Sequence, residues 1–280
     1  MGESIEQSVF WDERADAWAS HADAMEPFAR QFGDPAMDLL DPAPGQHVAD
    51  VGCGPGITTI ELARRVGSAG SALGVDVSAR MVATAETRAA AADVANVRFE
   101  AADPSAGPFG SFDAVYSRFG VMFFDEPAAA FGNIRRSVRP GGRFVAVVWA
   151  ELDANPWMFV PTMFAAEPLN AELALPGPGE PGPFSLADPA ATVSLLETSG
   201  FCDVDVARSV HAWCFDAAAS TDSIAQMLSV GALGRAWVSA DDDARMAAVE
   251  TVRAACEGYR DGAGWCLPAT ALMFSASVSE

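Results

Sequence analysis

Lysine is absent from this 280-residue chain. All 17 basic residues are arginines, set against 38 Asp and Glu for a formal net charge of −21. A surface of that sign repels phosphate backbones and anionic lipid, so nucleic acid and membranes are not expected partners. No run approaches the ~18 consecutive apolar residues of a membrane-spanning helix. The start, "MGESIEQSVFWDERADAW", is acidic and has no apolar signal core. Histidine is scarce, and the five cysteines (Cys53, Cys202, Cys214, Cys256, Cys266) are scattered with no C-x-x-C pair. That pattern supplies no metal ligand set and no disulfide framework, so reduced thiols in a soluble cytoplasmic protein are the expectation.

What is present is ample apolar content, half of all residues, enough for a sizeable core. From residue 46 to 150 short β-branched runs alternate with helical patterns. The strands read "HVADV", "SALGVDV", "VRFEA", "FDAVYS" and "RFVAVVW". Between them Ile57, Ile60, Ala63 and Val66 share one helical face, as do Met81, Val82, Ala85 and Ala89. This predicts a doubly wound α/β sheet of parallel strands.

The flanks differ. Residues 1–45 read as helical, with Trp11, Arg14, Trp18, His21 and Met25 on one stripe. Residues 151–187 ("NPWMFVPTMF", "LPGPGEPGPF") are too apolar for a linker and too proline-rich for a regular helix, and read as a packed cap. Residues 188–280 hold a helix opened by Asp188 and Pro189, a strand "CDVDVARSV", a helical stretch over 216–258 and a last strand "ATALMFSASV".

The chemistry begins at "VADVGCGPGITTIEL", where a strand runs into glycines at 52, 54 and 56 and then a helix. G-x-G-x-G departs from the G-x-G-x-x-G that seats a dinucleotide pyrophosphate, and no Lys-Ser/Thr follows to make a phosphate-binding P-loop. Asp76 ends the second strand, where a carboxylate can accept both hydroxyls of a ribose. Asp103, in "FEAADP", is placed to accept from an adenine amino group. Asp50 adds negative charge beside the loop, suited to a cationic ligand.

Together "VADVGCGPG", "GVDVS", "AADP", "FDAVYSRFGVMFF" and "VRPGGRF" resemble the class I S-adenosylmethionine (SAM)-dependent methyltransferases, nearest to the quinone-biosynthesis and small-molecule branch of secondary metabolism. The resemblance is close over residues 10–150. It implies a Rossmann-like seven-stranded sheet with the last strand antiparallel, an N-terminal helical lid and an inserted cap. It implies SAM as cofactor, with Gly52, Gly54 and Gly56 along the methionine moiety, Asp76 on the ribose, Val77 and Met81 on the adenine face, and Ala102 with Asp103 on its edge. Ser117 would offer its carbonyl to the ammonium. "SRFGVMFF" lacks the Pro-Pro-aromatic segment of enzymes acting on adenine or glutamine nitrogen.

In-line methyl transfer needs a positioned nucleophile in a dry pocket, and a base only for some acceptors. His21, on the lid stripe, is the catalytic candidate, with Trp18 closing over SAM. His47 sits at the far end of the first strand, and His211 ends the sixth strand. Arg118 is open to three readings: contact with an acidic substrate, with the SAM carboxylate, or a structural ion pair. Phe119, Trp157, Met158 and Met163, with Phe159, Phe164, Phe184, Met227 and Leu228, form the expected acceptor lining, favouring an apolar or aromatic small molecule. The alternative activity is a rearrangement or cyclisation with SAM as an electrostatic element. The protein is expected as a monomer or homodimer.

Overall fold

The computed structural model describes residues 7–173 and 180–280. The first residues of the lid and residues 174–179 of the cap lie outside them.

Two helices open the chain, α1 (Gln7–Asp12) and α2 (Ala15–Leu40). Then come β1 (His47–Val51), α3 (Ile57–Val66), β2 (Ser71–Asp76), α4 (Ala79–Ala91), β3 (Val97–Ala101), β4 (Phe112–Arg118), α5 (Pro127–Ser137) and β5 (Val138–Trp149). The remainder is α6 (Pro156–Ala165), α7 (Pro189–Thr198), β6 (Cys202–Asp216), α8 (Ser220–Val230), α9 (Gly234–Ser239), α10 (Asp242–Ala255), β7 (Arg260–Asp261) and β8 (Gly264–Ser277).

The strand order is β3-β2-β1-β4-β5-β8-β6, with the two-residue β7 added on β8. β1 to β5 pair in parallel, and β8 runs antiparallel to both β5 and β6. The main seven strands are therefore the expected sheet. β1 past His47, most of β4 and the second half of β5 are buried, as parallel strands covered on both faces must be.

α2 carries two prolines, Pro27 and Pro35, and its two halves pack differently. The second half buries Phe28, Phe32, Ala36, Met37 and Leu40, spaced three and four apart, in the main core with Val115, Tyr116 and Phe144. The first half buries only Ala15 and Ala22. A smaller core of Ile60, Val82, Ala85, Ala89 and Phe99 fixes α3, α4 and β3.

Several expectations are corrected. The cap contains a ten-residue helix, α6, with Pro156 in its first turn, where no intrahelical N–H bond is needed, and a second proline, Pro161, tolerated inside it at the loss of one backbone bond. The helical stretch after β6 is three helices, α8 to α10, separated near Gly231 and at Ala240. β6 continues to Asp216, so His211 lies within the strand and not at its end.

The largest departure lies beyond the end of β5. Trp149, its last residue, pairs with Ala271, which pairs in turn with Ser209. From there β6 and β8 continue as a pair, Val210 opposite Thr270 through to Asp216 opposite Gly264, with β7 pairing β8 only at the tip. This two-stranded ribbon extends roughly 20 Å beyond the sheet's carboxyl edge at the usual rise per residue. Cys214 and Cys266 face each other on it and form a disulfide, which overturns the expectation that all five thiols are reduced. Strand register put two cysteines 52 residues apart side by side, which spacing alone does not reveal.

Candidate functional site

The glycine turn sits at the carboxyl end of β1. All three glycines take positive φ: +70° at Gly52, +52° at Gly54 and +84° at Gly56. Their surroundings differ. A Cβ on Gly52 would lie 2.5 Å from the Gly120 Cα, and one on Gly56 would lie 2.7 Å from the Ala85 Cβ. Those two are glycines because neighbouring chain packs against them. A Cβ on Gly54 would meet nothing within 4 Å, so open space faces the loop there.

One carboxylate, Asp76, bonds the loop at that space, and a second, Asp50, precedes the turn by two residues. Asp76 accepts the Gly54 N–H at 2.8 Å on one oxygen and the Ser78 N–H at 2.9 Å on the other. Burial raises its pKa, and the two amides pull it back. Asp76 thus holds the loop itself, a role the sequence did not suggest. Asp50 is wholly buried; one oxygen accepts the Thr58 and Thr59 hydroxyls at 2.6 and 2.7 Å. The other oxygen, Oδ1, is buried with no partner. Burial pushes the Asp50 carboxyl up to about 6, against the opposing effect of the two threonines. A buried acceptor left without a donor costs free energy unless something supplies one. Cys53 between them is inert, its thiol pushed well up by burial.

Ser117 is fully buried and donates its hydroxyl to the Val51 carbonyl at 2.7 Å, tying β4 to β1. Phe119 follows in the left-handed region at φ +61°, rare for a bulky residue. That turn brings Gly120 against Gly52 and stacks the Phe119 ring on Trp149, centroids 3.9 Å apart. Arg118 forms a bidentate pair with Glu26 at 2.9 and 2.7 Å, both side chains largely buried. Of its three readings the ion pair is the one formed; it anchors α2 to the tip of β4.

At the adenine end Met81 is buried, Val77 half-buried, and the Ala102 N–H donates to the Asp76 carbonyl at 2.9 Å. Asp103 is exposed two residues past the end of β3, its carboxylate accepting the Ser105 N–H and hydroxyl.

Over this edge lies the N-terminal segment. Asp12 accepts from the Ser78 hydroxyl and the Arg80 N–H, while Asp16 pairs with Arg80 and Asp23 with Arg88. Trp11 packs edge-on against Phe123, just past β4, and lies 6.3 Å from Trp18. The Trp18 indole N–H is buried with no acceptor. Unpartnered polar atoms therefore occur both in the lid and at the end of β1.

The acceptor candidates divide. Trp157 is buried, its indole N–H donated to Asn155 at 3.1 Å. Asn155, which sequence reasoning missed, also binds the Ala150 and Glu151 carbonyls and the Thr270 N–H, locking α6 to the foot of the ribbon. Met158 and Phe159 are half-buried, but Met163 and Phe164 are 40% and 48% exposed on the outer side of the same helix. His21 is half-buried in α2, its carbonyl accepting from Gln226. His211 meets Phe32 edge-on and shares a hydrogen bond with Ser209. His47 pairs with Ser71 at the amino end of the sheet. A cavity of about 430 Å³ opens there, beside Asn96, Arg98 and Phe112, remote from the glycine turn.

Comparison with known proteins agrees with this geometry. A family profile described as a methyltransferase domain matches residues 48–142. Nocamycin O-methyltransferase of Saccharothrix syringae is 35% identical over 128 residues, 45% of this chain and 44% of that one. The chain spans less than two thirds of the length of this relative and others like it. Trans-aconitate 2-methyltransferase of Deinococcus radiodurans is 31% identical over 189 residues, 65% of this chain and 70% of that one. Among solved structures, phosphoethanolamine N-methyltransferase 2 of Haemonchus contortus, in complex with phosphomonomethylethanolamine and S-adenosylhomocysteine, has a TM-score of 0.58. It shares 15% identity, covering 100% of this chain and 62% of that one, and so speaks for the fold alone. Identity that extends over most of a methyltransferase's length goes beyond shared architecture, and the chain belongs to the class I SAM-dependent methyltransferases.

Proposed function

We propose that the protein binds SAM at the carboxyl ends of β1, β2 and β4 and transfers its methyl group to a small, apolar or aromatic acceptor. The observations that carry this are the open space at Gly54, whose N–H is held by Asp76, and the unpartnered, fully buried Asp50 Oδ1 four residues before it in the chain. An ammonium is the donor such an oxygen lacks. The buried Trp18 N–H supplies a complementary donor from the lid. Gly54 gives the close approach, Asp76 the ribose contact, Val77, Met81, Ala102 and Asp103 the adenine surround, and the Ser117 backbone a second acceptor for the ammonium.

Bound SAM supplies an electrophilic methyl group. The chain's part is to orient it, exclude water under Trp11 and Trp18, and hold the acceptor in line. His21 is the group assigned to take a proton where the acceptor needs it, supported by its place one helical turn before Met25. The relatives are named for methyl transfer, which supports that reading over a rearrangement. Residues 46–150 serve as the cofactor module, and 1–45, 151–187 and 188–280 as lid, cap and acceptor side.

No helix among the described residues is long and apolar enough to cross a membrane. Cytoplasmic residence, action as monomer or homodimer, and no nucleic-acid partner complete the proposal on the strength of the acidic charge. The disulfide argues the other way on compartment, since such bonds are rare in reducing ones.

Calorimetry with SAM and S-adenosylhomocysteine tests the cofactor reading. Asp76→Ala is expected to weaken both by about 1.5–3 kcal/mol, the worth of lost charge-assisted hydrogen bonds and a loosened Gly54. Affinities equal to wild type would place the ribose elsewhere. For His21, the check is the turnover of His21→Gln, which should fall for an acceptor that must lose a proton while S-adenosylhomocysteine affinity is kept.

A further inference from the structure

The first helix, α1, is short, and its two ends are tied to different parts of the sheet. Near its start the Gln7 amide nitrogen donates to Asp125 at 3.2 Å, and Trp11 packs edge-on against Phe123 with centroids 4.8 Å apart, both partners lying in the segment that follows β4. At its end Asp12 meets Ser78 and Arg80, just past β2. In the sheet β1 lies between β2 and β4. Two strand spacings measure about 9.6 Å, and a helix of this length rises about 9 Å. The helix therefore reaches from one anchor to the other across the carboxyl end of β1, where the glycine turn begins.

The anchor at Ser78 differs in kind from the others in the lid. Asp16 and Asp23 make exposed ion pairs with Arg80 and Arg88. Ser78 is fully buried and caps α4 by accepting the Met81 N–H at 3.1 Å. Its hydroxyl has one hydrogen to give, and that hydrogen goes to the Asp12 carboxylate. The Ser78 backbone N–H goes to Asp76, whose other oxygen holds the Gly54 N–H. An unbroken chain of hydrogen bonds thus runs from lid to loop, through Asp12, Ser78, Asp76 and Gly54. Asp12 also lies close enough that its charge reinforces the effect of burial in raising the Asp76 pKa. A buried hydroxyl that loses its acceptor costs free energy. Without Asp12 the Ser78 hydroxyl must find another partner, and Asp76, already bonded to its N–H, stands beside it.

We propose that Asp12 is a positioning residue for the cofactor loop: through Ser78 it sets the Asp76 carboxylate, and through Asp76 the Gly54 amide, so that docking of the lid and ordering of the loop are one event. What the loop then holds rests on the methyltransferase reading of the site. The relay itself belongs to the unliganded chain and can be tested without a ligand.

Amide exchange followed residue by residue by NMR in the ligand-free protein is the first measurement. Asp12→Ala should quicken exchange at Gly54 at least about fivefold, whereas Asp12→Asn, whose side-chain carbonyl still accepts from Ser78, should keep it within about twofold of wild type. Asp16→Asn is the control, since it loosens the same segment without touching Ser78, and Gly54 should not respond. A residue that merely tied the lid down would change the exchange of residues 7–20 alone. The second measurement is a double-mutant cycle on S-adenosylhomocysteine affinity. Asp12→Ala should cost roughly fivefold in the wild-type background and less than about twofold in the Asp76→Ala background, because its effect passes through Asp76. Equal losses in the two backgrounds, or Gly54 exchange unaltered by Asp12→Ala, overturn the proposal. The exchange data decide if the double variant does not fold. Should the wild type fail to bind S-adenosylhomocysteine while Gly54 still responds to Asp12, the cofactor reading falls and the relay stands.

Discussion

Between the carboxyl end of β1 and the ribbon of β6 and β8 the material of the protein changes. Around Gly54 recognition is polar and built from backbone: two buried carboxylates, tight turns at Gly52 and Phe119, and amides spent on Asp76. Around Trp213 it is mostly apolar and built from side chains, with the Gln226 amide bonded to the His21 carbonyl. The first region is held by short-range contacts that leave little freedom. The second is held by a strand pair joined to the sheet at its foot, a disulfide across it, and a helix that contacts it from outside.

The largest expected effect breaks the rigid side alone. Gly54→Val fills the open space and sits in a strained φ, so S-adenosylhomocysteine affinity should fall at least about 100-fold, close to 3 kcal/mol, while the chain still folds. Calorimetry showing wild-type affinity in the folded variant would falsify the assignment of that space.

Next comes the ribbon. Replacing Cys214 and Cys266 together by serine releases a 52-residue loop, for which chain entropy gives a stability loss of up to about 4 kcal/mol. Urea unfolding measures it. If the two regions are independent, S-adenosylhomocysteine affinity stays constant in the folded variant; a parallel loss would show that the ribbon supports the cofactor end as well.

Asp50 gives a pH signature. Its folded pKa of about 6 is raised above its ordinary 3.8, so the contribution to stability is full below about pH 4 and is lost as pH rises through 6. Relative to Asp50→Asn, the wild type should lose roughly 2 kcal/mol between pH 4 and 7. Ligand binding runs in the opposite direction. A bound ammonium favours the ionised carboxylate, so wild-type SAM affinity should climb from pH 5 to 7, whereas the asparagine variant's should stay flat. A wild-type affinity independent of pH across that range would detach Asp50 from the ammonium.

The smallest effect is at the lid. Asp16→Asn and Asp23→Asn remove exposed ion pairs, each worth about 0.5 kcal/mol or less, so melting should barely change. Amide exchange over residues 11–28 should nevertheless quicken, and should slow in the wild type when S-adenosylhomocysteine binds. Exchange indifferent to ligand would make the two tryptophans a subunit contact.

Much of the rigid region could be read from the chain. Alternating strand and helix patterns, three glycines after an apolar strand and acids at strand ends are local signals, and the turn at 52–56 needs its glycines where they are written. What the residues do to one another there was less visible. Asp76 orients Gly54, and Gly52 exists for Gly120, a partner 68 residues away. Phe119 gave no sign of its left-handed backbone, because that conformation is imposed by the stacking of its ring on Trp149 and the approach of Gly120.

By itself, then, the order of residues determined the parallel sheet and the glycine turn, because backbone φ requirements and hydrophobic period act over a few residues. Only the tertiary structure decided that Cys214 meets Cys266, that Arg118 is spent on Glu26, that Asn155 locks α6, and that Met25 and Trp213 face each other across a cleft. Each of those depends on the register of β6 against β8 or on the packing of α2 across the sheet, long-range choices made by the summed burial of many side chains and carried by no single motif.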